Sequence, residues 1–157
     1  MEEEVVRISA HRRQVLDRLR TLPILRSATD TELVRIDRMM CEVDVSAGDV
    51  VTREGDRPRG FFLIVSGRAV VTVSAVERGV LGTGMFFGEI ALVDHGPEPA
   101  TLTALTPMRL RIATGREFAQ LSEMRPFARA ILQTMVARER LALEFRPTAH
   151  LDAQQSA

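Results

Sequence analysis

EVDVSAGDVVTREGDRPRGFFLIVSGRAVVTVSAVERGVLGTGMFFGEIAL, running from Glu42 to Leu92, is the stretch that decides the architecture. Short β-branched runs alternate with Ala47-Gly48-Asp49, Glu54-Gly55-Asp56, Ser66-Gly67-Arg68, Glu77-Arg78-Gly79 and Gly82-Thr83-Gly84. Valine-rich runs suit a pleated surface, and turn residues recurring about every ten positions point to an all-β barrel or jelly roll. TLTALTPMRLRIAT, Thr101 to Thr114, adds two strands broken at Pro107, so the β region spans 41–114.

Helical periodicity flanks it on both sides, and residues 1–40 form an N-terminal helical segment. Val5, Ile8, Val15, Leu16 and Leu19 recur among charges at the spacing of an amphipathic helix that Pro23 closes. SATDTELVRIDRMM then predicts a second helix, with Thr29 or Asp30 as N-cap and Leu33, Val34, Ile36, Met39 and Met40 as its apolar face. Residues 115–145 return to helix: REFAQLSEM is a short one, and Pro126 stands where a first-turn proline opens a longer one reaching Phe145. Residues 146–157 read as a polar, flexible tail.

The long helix carries two apolar stripes. Phe127, Ile131, Met135, Ala142 and Phe145 lie near one line, interrupted by Arg138; Ala128, Leu132, Val136 and Leu143 lie near another. Either the helix lies deep in a groove of its own domain or it pairs with its twin in a homodimer. Phe127, Ile131, Met135 and Phe145 are the expected dimer contacts.

Composition removes several functions. The 157 residues suit one domain with a real core, the formal charge is +0, and all 21 basic residues are arginine. A chain without lysine has no Schiff-base or lysine-nucleophile chemistry. No apolar run approaches the ~20 residues of a membrane span, and MEEEVV is unlike a signal peptide, so no membrane role is expected and a cytoplasmic location is. The single cysteine, Cys41, forms no internal disulfide and reads as a small half-buried residue. Cupin-type metal chemistry needs converging imidazoles, but only His95 lies in the β region and no H-x-H occurs. GVLGTGMFFG lacks the G-x-G-x-x-G order, and no nucleophile–base pair stands out, so no enzyme is expected.

The order of these pieces resembles the cyclic nucleotide-binding domain family of catabolite-activator-type regulators, kinase regulatory subunits and gated channels. LPILRSATDTELVRI is similar to its entry helices, AGDVVTREGDRPRGFFLIVSGRAVVTV to its glycine-turned hairpins, and GMFFGEIAL to the start of its phosphate-binding cassette. The resemblance implies a double-stranded β-helix (jelly-roll) barrel with N-terminal helices and a long C-terminal helix. It places a cassette-like segment at 86–102. There Gly88 lets the backbone come close, and Glu89 accepts from a ribose 2′-hydroxyl. Ile90 and Ala91 lie in a helix N-terminus whose free N–H groups face the cyclic phosphate.

The family pattern continues proline, arginine, small, alanine, small polar, and here Pro97, Glu98, Pro99, Ala100 and Thr101 occupy it. Glu98 stands where the arginine meets phosphate, and Pro99 has no N–H to donate. Losing a charge-assisted bond costs about 1.5–3 kcal/mol. A carboxylate ~4 Å from a phosphodiester adds about 1–4 kcal/mol of repulsion. Together they predict a loss of ~3–6 kcal/mol, or two to four decades of affinity.

The expectation is a non-enzymatic regulatory or sensor module with a degenerate phosphate site, requiring no cofactor and taking cAMP or cGMP as a weak ligand at most. The alternative is a protein-interaction and dimerisation module without a small-molecule ligand, its protein partner unnamed by the sequence. Arg53, Arg57, Arg59 and Arg68 flank the site, either as solvated turn residues or as rescuers. A guanidinium on Glu98, or ordered water, is expected where phosphate sits in relatives. Only twelve residues follow Phe145, too few for a winged helix-turn-helix, so DNA recognition by that route is not expected.

Overall fold

The computed structural model describes residues 9–144. Val5 and Ile8 of the first expected helix, Phe145 and the tail lie outside the described residues. Helices α1 (Ala10–Arg20) and α2 (Asp30–Met39), joined by a 3-10 turn at Pro23–Leu25, precede eight strands. These are β1 (Cys41–Val45), β2 (Val50–Thr52), β3 (Phe61–Ser66), β4 (Ala69–Val73), β5 (Val76–Leu81), β6 (Phe86–Phe87), β7 (Thr101–Ala104) and β8 (Met108–Ala113). Helix α3 (Glu89–Asp94) interrupts them between β6 and β7, and α4 (Gly115–Leu121) and α5 (Arg125–Glu144) follow. Two antiparallel four-stranded sheets, β1-β8-β3-β6 and β2-β7-β4-β5, make the expected jelly-roll arrangement.

FFLIV explains the layering. It is the heart of β3, hydrogen-bonded to both β8 and β6, and Phe61 to Ile64 are all buried. A strand covered on both faces reads as a continuous apolar run. Phe61 and Leu63 point into a core shared with the helices, joining Leu16, Ile36, Phe118 and Phe127. Phe62 and Ile64 point into the space between the sheets, against Leu102, Ala104 and Leu110. The molecule therefore has three layers, with helices on one sheet and that sheet on the other.

Local chemistry places the helices. Thr29 is the N-cap of α2 in a reciprocal capping box with Glu32, at 3.2 and 3.3 Å. Pro126 lies in the first turn of α5, where its missing N–H costs nothing.

Three expectations are corrected. Glu77-Arg78-Gly79 is not a turn but the middle of β5; the β4–β5 hairpin turns at Ser74-Ala75, both at positive φ. A two-residue hairpin loop demands that geometry whether or not glycine supplies it. Cys41 is exposed rather than half-buried, because it begins edge strand β1. Phe127 and Ile131 are buried in the chain's own core with Met135 packed against them, so this stripe is not free for a twin. The exposed stripe of α5 is the other one, carrying Leu132 and Val136.

Candidate functional site

The link between β6 and β7 builds the site. Gly88 caps α3 at φ 90°, and a Cβ there would lie 2.3 Å from the Gly60 carbonyl oxygen and 3.2 Å from the Phe62 ring. Only glycine permits that approach. It turns the chain so that the first turn of α3 carries Glu89 and Ala91 inward, while Ile90 stays partly exposed.

Glu89 is only 1% exposed. Its Oε1 accepts from Nη1 of Arg138, which reaches in from α5, and Nη2 of the same guanidinium donates to the Phe86 carbonyl. The Arg138 Cζ also lies 5.1 Å from the centroid of the Phe86 ring, a cation–π contact. The second carboxylate oxygen, Oε2, has no partner among the described residues. Burial raises the Glu89 pKa above the ordinary carboxylate value, and Arg138 pulls it the other way.

Residue 98 is held by backbone. Its N–H donates to the Asp56 carbonyl and its own carbonyl accepts from Gly55 N–H, both at 2.8 Å, so the cassette's outer limb is bonded to the β2–β3 loop. The Glu98 side chain is 4% exposed, with Oε1 unpartnered, and lines a chamber of about 30 Å³ alongside Thr52, Arg53, Asp56, Arg57 and Arg59. Burial raises its pKa, and the nearby charge of Glu89 raises it further. Pro99 is exposed and, as proline, offers no N–H. The Ala100 carbonyl lies 3.5 Å from the Thr52 hydroxyl, and the Thr101 hydroxyl oxygen accepts from Glu54 N–H at 3.0 Å.

The structure thus brings together Gly88, Glu89, Ala91 and Glu98, and it commits the Thr101 hydroxyl to the β2–β3 loop. The expected guanidinium on Glu98 is not there: among the described residues no arginine bonds it, although Arg53, Arg57 and Arg59 line its chamber. Arg68 lies in the β3–β4 link, where its backbone N–H donates to the Thr106 hydroxyl. The arginine that does enter the site, Arg138, was not among the candidates. Its signal was the break it makes in the α5 apolar stripe, since a charge facing inward needs a buried partner.

Comparison with known proteins follows this geometry. The cyclic nucleotide-binding domain model matches residues 42–125. A cyclic nucleotide-gated potassium channel from Rhizobium etli is 35% identical over 119 residues, covering 74% of this chain and 33% of the channel. Among solved structures, PKAR CBD2 with Sp-2Cl-cAMPS bound aligns at TM-score 0.75 and 20% identity, covering 84% of this chain and 89% of that one. A variant regulatory subunit of a cAMP-independent protein kinase A from Trypanosoma brucei aligns at TM-score 0.70 and 18% identity, covering 82% and 51%. The chain spans about a third or less of the curated relatives it matches.

Proposed function

Because the chain belongs to the cyclic nucleotide-binding domain family, we propose that it is a non-enzymatic regulatory module whose cassette has lost its phosphate contact, so that cAMP and cGMP bind weakly or not at all. The observation that carries this reading is the buried carboxylate of Glu98, one oxygen of which has no partner among the described residues, at the cassette position that the family pattern gives to a phosphate-pairing arginine. A cyclic nucleotide entering here brings its negative charge up to the Glu98 carboxylate, to which no arginine among the described residues is bonded, while Arg138 is already engaged by Glu89. Pro99 removes the neighbouring backbone donor as well.

The Trypanosoma brucei relative supports the same logic. Its variant exchanges one glutamate for alanine, one threonine for arginine and the adjacent valine for alanine, and holds cAMP in its A site. The repair that the family pattern suggests for this chain is Glu98→Arg with Pro99→Ala, which supplies a guanidinium, a backbone N–H and a small side chain together. Calorimetric titration with cAMP and cGMP tests the reading. The wild type should bind about two to four decades more weakly than the double variant. Micromolar binding by the wild type overturns the reading.

The alternative, a protein-interaction module, is favoured by one observation only. Leu132 and Val136 lie one turn apart on the outer face of α5 and are 62% and 57% exposed.

A further inference from the structure

The chamber beneath Glu98 is not isolated. It adjoins a cleft of about 460 Å³ that opens between edge strands β1 and β2, and the two share Val50, Val51, Arg53 and Arg59. A cleft of that volume falls within the range of about 300–1,000 Å³ that takes small organic molecules. Its inner wall is apolar, formed by Ile112 and the β2 valines over the buried Phe62 and Leu110. The chamber has room for a polar head of about one or two waters' size.

Charge is sorted along this path. At the inner end stands the Glu98 carboxylate, with one oxygen unpartnered. At the junction with the cleft stand Arg53 and Arg59, and neither makes an ion pair within 4.0 Å among the described residues. The acids of the cleft are otherwise engaged, Asp44 with Arg109 at 3.0 Å and Asp49 with the Ser46 N–H at 3.2 Å. Asp56 and Arg57 also border the chamber and offset one another there, which leaves the Glu98 carboxylate as the uncompensated charge of that end.

A simple anion is drawn to the arginines but repelled by Glu98, and a simple cation meets the reverse. A zwitterion satisfies both. Arg53 and Arg59 line both chamber and cleft, which puts the place for a carboxylate between the place for an ammonium and the place for an apolar group, the order that suits three groups branching from one α-carbon. We propose that chamber and cleft together bind an α-amino acid with an apolar side chain, its ammonium on Glu98, its carboxylate at Arg53 and Arg59, and its side chain against Val50, Val51 and Ile112. This inference rests on the reading that position 98 no longer serves a phosphate.

Calorimetry with L-leucine and L-phenylalanine tests it, using 3-methylbutylamine and 4-methylpentanoate as analogues lacking one charge each. At least one amino acid should saturate the wild type, and both analogues should bind at least about tenfold more weakly. Glu98→Gln and the Arg53→Ala, Arg59→Ala pair should each lose about tenfold or more, with melting curves reporting that the variants fold. Absence of saturation by either amino acid up to ~10 mM overturns the proposal, as does an analogue that binds equally or a variant that loses nothing. If Glu98→Arg, Pro99→Ala gains cAMP while no amino acid saturates the wild type, only this inference fails. Micromolar cAMP binding by the wild type removes the reading beneath it.

Discussion

Glu98 is set against its own fold: its carboxylate is removed from water with one oxygen unbonded, beside a second acid. A buried group in this state costs about 1–3 kcal/mol, more when charged. The pH dependence follows from the direction of its shift. Its folded-state pKa lies above the ordinary 4.5, so the folded protein holds that proton more tightly than the unfolded chain does. The stabilisation is complete below about 4.5 and is lost as pH rises through the raised value. Glu89 acts in the same direction; Asp30, whose pKa Arg20 lowers, acts oppositely and only at more acid pH. Glu98→Gln should therefore raise the melting temperature near neutral pH, by roughly 2–4 °C per kcal/mol recovered, with the gain shrinking on acidification. A gain that instead grows toward acid pH would mean that Glu98 is stabilised as an anion. The substitutions at 98 and 99 were legible because each breaks a rule stated in residue types: an acid in place of a base, and a proline in place of a donor. The chamber was not, because its walls come from β2 and the β2–β3 loop, which meet residue 98 only through folding.

At the scale of elements, the decisive contact is between α3 and α5. Arg138 satisfies Glu89 and a strand carbonyl together, so removing it leaves a buried acid without a counter-charge. Arg138→Leu should destabilise the protein by about 2–4 kcal/mol, below the full value for a buried pair because the arginine side chain is 30% exposed. Adding Glu89→Gln should return part of that loss. A double-variant cycle by urea unfolding checks this, and strict additivity would show that the two residues are not coupled. The helices and most strands were legible because their periods are local and their caps are spelled out, as in Thr29 and Glu32. The β4–β5 turn was misplaced because Ser74 and Ala75 carry no turn signature, and the slip in register between Val71 and Thr72 leaves Gly79 inside the strand. The choice between the two α5 stripes depended on what the helix meets in three dimensions. Periodicity alone is blind to that.

The whole molecule is organised about one aromatic residue. Phe61 touches Phe86, Phe118 and Phe127 with ring centroids 5.1–5.4 Å apart, tying a strand of the inner sheet to α4 and α5. That packing fixes which face of α5 remains outside. If this face joins two copies, Leu132→Glu or Val136→Glu should shift the sedimentation coefficient from dimer to monomer, whereas Phe127→Glu should unfold the protein; unchanged sedimentation of a wild-type monomer would remove the alternative reading of α5 as a self-association element. The paired backbone bonds between residue 98 and the 55–56 tip mean that the outer limb of the cassette is, mechanically, a passenger on the arginine-bearing β2–β3 loop. A pull applied at that tip from outside reaches the acid at 98 directly, while the acid at 89 answers to the long helix, so two neighbouring acids take their orders from different parts of the molecule.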